Sequence, residues 1–314
     1  MSQKSKSVAI LGGGVIGASW ASLFTATGYP VRVFDPAEGA EAQIRAYAER
    51  AQPALVALGL PSADTPASMT FHASAAEAVE GTFFVQESVP ERIEIKHALF
   101  AEIEPVLDAD AVVASSASGL MVSEMQKGWR NPGRLVLGHP FNPPHLIPLV
   151  ELLANERTDD DVLERAEAFY AECGKVTIRL HREVPGHAAN RLQAALWREA
   201  ISLVVEGVAS VEDVDKAIWA GPGLRWAAMG PHMLFHLGAG DLGLGEFCSR
   251  YEPSFNRWWE SMKDVELNAD TIAALRAGIE AEQGARAMTD LMAERDALIV
   301  GMQTANAKHR NRSG

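Results

Sequence analysis

The chain has 314 residues, 47% hydrophobic and 22% charged, which allows two domains with a sizeable core and excludes global disorder. The formal net charge is -13, and the one notably basic run is the tail KHRNRSG, so nucleic acid is not an expected partner. No run of about 18 apolar residues is present, the polar start MSQKSKS leads straight into VAIL with no secretion signal, and the two cysteines are far apart without metal spacing; the expectation is a cytoplasmic protein with no membrane span and no metal.

In chain order, VAIL at residues 8–11 reads as a strand buried on both faces. Gly12, Gly14 and Gly17 then fit G-x-G-x-x-G, and small and apolar residues continue at helical spacing through Ala26 until Gly28 stops the helix. VRVF is a second strand, ending at Asp35. Each part has a task at a dinucleotide. Gly12 permits the tight turn, Gly14 lets the backbone approach a pyrophosphate, and Gly17 lets helix and strand pack closely. The free N–H groups at the helix start suit phosphates. A carboxylate at Asp35 can accept from ribose hydroxyls and would repel a 2′-phosphate, so NAD is expected rather than NADP; Arg32 is the residue that speaks against this. FAD uses the same fingerprint.

Residues 37–60 are alanine-rich and helical in pattern. TFFVQESVPER reads as a strand ending near Glu87, with a helix after Pro90. DAVVASSAS is a further strand, and RLVLGHPFNPP and PLVELL are two more, joined by a proline-rich turn. Alternating strands and helices predict a doubly wound, mostly parallel sheet, whose ligands sit at the carboxyl ends of the strands. Glu87, Ser116, Ser118 and His139 fall near those ends and are candidates to line one crevice. The turn between His139 and Glu151 can lay their strands side by side. A histidine with a carboxylate on one ring nitrogen has a fixed tautomer, and oxidising an alcohol needs such a base for the hydroxyl proton. The competing reading is a structural histidine in a strand turn.

Pro185-Gly186 marks the expected boundary between a domain of residues 1–185 and an all-α domain of residues 186–314. Helical patterns cover AANRLQAALWREAISLVVEGV, SVEDVDKAIWAG, where Ser210 and Asp213 suggest a capping box, and residues 269–283 and 287–307. Trp197, Trp219, Trp226, Trp258 and Trp259 are expected as core or dimer-interface residues. In GLRWAAMGP, residues 223–231, Arg225 stands at what reads as a glycine turn among apolar neighbours.

GHPFNPPHLIPLVELL resembles the histidine–glutamate segment of the L-3-hydroxyacyl-CoA dehydrogenases, and ASSASGL and VPGHAANRL are similar to that family's serine and asparagine segments. With the glycine fingerprint, the motifs follow the family's order. The resemblance implies an NAD-binding Rossmann domain followed by a helical domain that dimerises. It implies His139 as base, Glu151 as its orienting partner, and Ser118 and Asn190 as hydrogen-bonding groups at the reacting oxygen. Glu87, Lys96 and Asn142 match positions lining the cofactor or site, although Glu87 and Lys96 read equally as a strand-end acid and a solvated helix lysine. The chain departs from the family at Ser116-Ala117-Ser118, where asparagine–threonine–serine is usual, and at His187, where an aromatic is usual.

GPGLRWAAMGP and FHLGAGDLG resemble the branch acting on small free 3-hydroxy acids of carnitine or L-gulonate type. A free acid brings a carboxylate that a guanidinium can grip in bidentate fashion, so Arg225 is a candidate anchor. Its competing reading is a structural arginine, paired with an acid at the dimer interface or stacked on Trp226. A trimethylammonium group would need aromatic walls, for which Phe141, Trp197, Trp226 and Phe235 are available. The expected activity is NAD-dependent oxidation of the 3-hydroxyl of such an acid. The rivals are a true acyl-CoA dehydrogenase and a non-catalytic, crystallin-like NAD-binding protein.

Overall fold

The computed structural model describes residues 6–60 and 68–310; the first five residues and the end of the basic tail fall outside that range. The strands are β1 (Ser7–Leu11), β2 (Val31–Phe34), β3 (Met69–Phe71), β4 (Thr82–Glu87), β5 (Val112–Ser115), β6 (Leu135–Pro140), β7 (Leu149–Leu153) and β8 (Val176–Arg179). They form one sheet in the order β3-β2-β1-β4-β5-β6-β7-β8, and every neighbouring pair is parallel except β6 and β7. Helices α1 (Val15–Ala26), α2 (Ala40–Ala57), α3 (Ala75–Val79), α4 (Ile93–Ile103), α5 (Val122–Met125) and α6 (Val162–Glu172) lie between the strands. This is the mostly parallel, doubly wound sheet that the sequence predicts.

Strand alternation divides the core in two. Val8 and Ile10 join one buried cluster, with Trp20, Phe24 and Tyr170. Ala9 and Leu11 join the other, with Phe100, Trp129 and Leu137. Successive side chains point to opposite faces of a strand, so a continuous apolar run is what a sheet covered on both faces requires. Two strands escaped the sequence reading. β3 is three residues long, and β8 is a four-residue strand at the end of the sheet with Val176 and Ile178 exposed. Neither offers the apolar run that identifies the inner strands.

The remaining helices are α7 (Ala189–Val205), α8 (Val211–Ala220), α9 (Pro222–Ala228), α10 (Pro231–Leu237), α11 (Gly243–Ser261), α12 (Ala269–Gln283) and α13 (Met288–Arg310). By contacts the chain divides into one unit of Met1–Ala189 with Asp296–Gly301 and a second of Asn190–Arg295 with Met302–Gly314. Ser210 caps α8 by accepting from the Asp213 backbone N–H. The glycine turn read at GLRWAAMGP is instead helix α9, because Pro222 at a first helical position has a fixed φ and no N–H to lose. The five tryptophans expected in the second domain are not core residues: Trp197, Trp219, Trp258 and Trp259 are at least half exposed, and Trp226 is 38% exposed. No helix of the described residues is long and apolar enough to cross a membrane.

Candidate functional site

The glycine fingerprint forms the turn from β1 into α1. Gly12 has φ +92°, and a Cβ there would lie 2.6 Å from the Ser88 backbone; a Cβ on Gly17 would lie 1.8 Å from the Gly12 carbonyl oxygen. These two glycines are demanded by the fold itself. Gly14 differs: nothing lies within 4 Å of where its Cβ would be. Open space at the start of a helix is what a pyrophosphate needs, so the turn fits a dinucleotide.

Asp35 follows β2 and ties its carboxylate to this turn. Its Oδ2 accepts from the Gly13 N–H at 2.5 Å and its Oδ1 from the Ala37 N–H at 2.8 Å. A cleft of about 580 Å³ opens beside it, lined by Asp35, Ala37, Gly39, Arg45, Phe71 and His72. Arg32 is turned away from the role that would favour a 2′-phosphate. Its guanidinium donates to the Ala78 and Glu77 carbonyls, at 3.0 and 2.6 Å.

Glu87 and Lys96 meet each other. The Lys96 ammonium donates to both Glu87 oxygens at 2.6 and 2.8 Å, and both side chains are buried. Glu87 also accepts from the Ser115 hydroxyl and the Val89 N–H. Lys96 is therefore not a solvated helix lysine. The pair is a buried, fully hydrogen-bonded ion pair fixing the corner between β4 and α4, as a charge removed from water requires. Asn142, in the turn after β6, is exposed.

His139 on β6 stands directly opposite Glu151 on β7 in the one antiparallel pairing of the sheet. Nδ1 of His139 lies 2.7 Å from Glu151 Oε2, and both side chains are buried. A carboxylate only accepts, so Nδ1 carries the hydrogen and the neutral ring keeps its lone pair on Nε2. The other Glu151 oxygen accepts from the Ala188 and Ala189 N–H groups, at 2.8 and 2.9 Å. Burial pushes the Glu151 carboxyl up, but the His139 hydrogen bond and the two backbone N–H groups outweigh it and hold it below the ordinary carboxylate range. The dyad thus couples an ionised, three-bonded carboxylate to an imidazole whose Nε2 has no hydrogen-bond partner among the described residues. Phe141 is half-buried, its ring 6.3 Å from that of His139.

The loop after β5 carries Ser118, which is exposed. It is held by a residue that sequence reasoning missed. Glu91 accepts from the Ser118, Gly119 and Leu120 N–H groups at 3.1, 2.8 and 2.8 Å, and from the Ser118 hydroxyl at 3.4 Å. Burial raises the Glu91 carboxyl, the three backbone N–H groups and the Lys96 charge lower it, and the net effect is downward. The spacing in VPER gave no hint of this, because the partner loop lies far along the chain. Ser116 turns inward, bonding Gln86 and Ser88.

His187, at the position where an aromatic is usual in the family, stands beside the dyad. Its ring is 5.0 Å from that of His139 and its Nε2 is 3.2 Å from the Ala117 carbonyl oxygen. In the second unit, Asn190 is half-buried on α7, and Arg225 and Trp226 are neighbouring exposed residues on α9. Arg225 has no acidic partner among the described residues. Phe235 stacks on Phe247 at 4.7 Å, within an aromatic group on α10 and α11.

Comparison with known proteins gives a consistent result. The model of the 3-hydroxyacyl-CoA dehydrogenase NAD binding domain matches residues 7–184, and that of the same family's C-terminal domain matches residues 186–284. The chain is 42% identical over 300 residues to the L-carnitine dehydrogenase of Nocardiopsis dassonvillei, covering 96% of this chain and 91% of that protein. It is 43% identical over 301 residues to the L-carnitine dehydrogenase of Streptomyces griseus, covering 96% and 90%. Among solved structures, an NAD+-dependent dismutase, 5-formyl-3-hydroxy-2-methylpyridine 4-carboxylic acid 5-dehydrogenase, superposes with a TM-score of 0.81 at 28% identity, covering 96% of this chain and 98% of that one. FadB2 of M. tuberculosis gives a TM-score of 0.65 at 29% identity, covering 88% and 94%.

Proposed function

We propose, for a chain that belongs to the 3-hydroxyacyl-CoA dehydrogenase family and is an NAD-dependent dehydrogenase, that its reaction is oxidation of the 3-hydroxyl of a small free L-3-hydroxy acid. The observation that carries the reaction type is the buried His139–Glu151 pair, with the second imidazole nitrogen unbonded among the described residues. Support for a free acid rather than a thioester comes from near full-length similarity to L-carnitine dehydrogenases and from Arg225, a guanidinium without an acidic partner among the described residues. L-Carnitine is the first substrate to test, and L-gulonate the second.

His139 Nε2 takes the hydroxyl proton, and the imidazolium so formed is stabilised by the ionised Glu151 carboxylate, which does not itself take the proton. Ser118 and Asn190 hydrogen-bond the reacting oxygen. Arg225 grips the substrate carboxylate, and Phe141 and Trp226 supply apolar and cation–π surface. Gly12 and Gly17 shape the turn at which Gly14, Asp35 and Asn142 hold the cofactor, while Glu87 and Lys96 fix the corner beneath it. NAD, when bound, supplies the hydride acceptor.

We assign residues 1–185 to cofactor binding and residues 186–314 to substrate binding and dimerisation. Support for a homodimer lies in the second unit, whose buried hydrophobics among the described residues are Ile201, Val211 and Val214, while Trp219, Trp258 and Trp259 are exposed. An α-helical unit with so small a core needs a covering surface.

The test is NADH appearance with L-carnitine, L-gulonate, 3-hydroxybutyrate and 3-hydroxybutyryl-CoA. Turnover with a free acid and none with the thioester is expected. A preference for the thioester would make the chain an acyl-CoA dehydrogenase, the reading favoured by the family's name. No turnover with any of the four would favour a non-catalytic protein. His139→Ala should lower turnover by roughly 10²- to 10⁴-fold with NAD binding retained.

A further inference from the structure

We propose that His187 is a positioning residue for this reaction: its Nε2–H holds the Ala117 carbonyl, and with it the Ser118 loop, in place beside the His139 ring. The inference rests on the roles given above to His139 and Ser118.

His187 is 5% exposed, and its Nε2 lies 3.2 Å from the Ala117 oxygen. A carbonyl only accepts, so Nε2 carries the hydrogen. Burial pushes the imidazole pKa below its ordinary value and repulsion from His139, when that ring is protonated, lowers it further; the bond to Ala117 and the charges of Glu151 and Glu91 pull the other way without reversing the shift. The ring is therefore neutral, with a bare lone pair on Nδ1. That Nδ1 is buried and has no hydrogen-bond partner among the described residues.

Two costs accompany this arrangement. One is the buried acceptor. The other is the backbone, since His187 has φ 52°, in the left-handed region that side chains other than glycine adopt rarely. A phenyl ring would fill the same space without the lone pair, and glycine would relax the backbone. Only the Nε2–H aimed at Ala117 requires histidine.

That contact sits at a junction. The Ala117 N–H donates to the Ser115 hydroxyl at 3.3 Å, and the next three N–H groups go to Glu91. Glu91 thus holds the outer part of the loop, and His187 holds the Ala117 carbonyl, one peptide before Ser118. The residues after His187 donate their N–H groups to Glu151. One short turn consequently fixes the dyad through its backbone and the serine loop through its side chain. A fixed geometry between Ser118 and His139 is what a step limited by alignment needs.

Three variants test this, each measured for Tm, kcat, KM for NAD and the deuterium isotope effect on kcat with substrate labelled at carbon 3. His187→Phe keeps a ring and removes the donor. His187→Gly keeps the left-handed backbone and removes the ring. His187→Gln restores an N–H at the reach of Nε2. The expected result is a fall in kcat of roughly 10- to 100-fold for Phe and Gly, with KM for NAD unchanged and a larger isotope effect, and recovery of most of kcat in Gln. Wild-type turnover in His187→Phe overturns the proposal, and so does an equal loss in Phe and Gln that tracks a fall in Tm. His139→Ala in the same assay separates the two levels: if it stays active, the dyad reading fails, whereas an inactive His139→Ala beside a fully active His187→Phe refutes only the role of His187.

Discussion

Glu151 uses both oxygens, one on the imidazole and one on two backbone N–H groups, and that saturation makes its ionisation a contribution to stability as well as to chemistry. Its carboxyl is depressed in the folded chain, so the contribution is complete above the unfolded pKa of about 4.3 and is lost as pH falls through the lower folded value. Glu151→Gln should therefore lose less stability than the wild type on acidification below about pH 5, as read from urea midpoints, while turning over far more slowly at neutral pH. An acid limb as steep as the wild type's would show that the carboxylate is not held as described. The Lys175 pKa is depressed as well, so its slope with pH has the same sign, but here the fold disfavours the charged form. Its ammonium is buried, donating to the Pro144 and Ile147 carbonyls at 2.5 and 2.7 Å and lying 4.9 Å from the Trp20 ring centre. Burial pulls its pKa down to about 7. Between that value and the unfolded pKa of about 10.4, the unfolded chain binds the extra proton, so stability rises with pH across that window. A neutral amine still has two N–H groups for the two carbonyls. Lys175→Met should flatten the rise in urea midpoint between about pH 7 and 9, and an unchanged slope would mean that the lysine is not the group titrating.

At the scale of elements, the turn from β1 to α1 separates what the fold needs from what a ligand needs. Gly17→Ala forces a Cβ to 1.8 Å from the Gly12 oxygen, so the expected outcome is a large loss of Tm or no soluble protein. Gly14→Ala meets nothing and should leave Tm nearly unchanged while weakening NAD binding by roughly tenfold or more, by calorimetry. Equal effects of the two on Tm would contradict the division. This turn was legible in the sequence because three glycines, an apolar strand and a terminal acid follow one another locally. The His139–Glu151 pair was legible for the same reason, since a single turn joins its strands. Glu91 was not, because its three donors come from a loop 27 to 29 positions away and its own neighbours carry no pattern. His187 was visible only as an unusual residue; the contact to Ala117, 70 positions earlier, is a product of sheet topology. Helix α9 was misread because Gly221, Pro222 and Gly223 suggest a turn, whereas the proline starts a helix and Gly223 lies inside it with a Cβ position only 2.7 Å from the Ile218 carbonyl oxygen.

For the whole molecule, the contrast between a first unit with two buried cores and a second with three buried hydrophobics among the described residues makes the oligomeric state a prediction. Sedimentation should show two copies at micromolar concentration. Arg225→Ala should raise KM for the free acid by an order of magnitude and leave sedimentation unchanged. Intact kinetics with dissociated copies would instead make Arg225 an interface residue. The single antiparallel pairing of the sheet has a consequence for how this molecule comes into being. Parallel neighbours need a crossover of a dozen or more residues, whereas β6 and β7 are joined by one short reversal, and His139 and Glu151 are 12 positions apart. The entropy of closing a loop grows with its length, so short-range contacts are the least costly for a newly made chain to form. The acid–base pair is thus a local event in folding. Its backbone donors Ala188 and Ala189 lie 37 and 38 positions beyond Glu151, so the groups that steady the pair are the more distant ones along the chain.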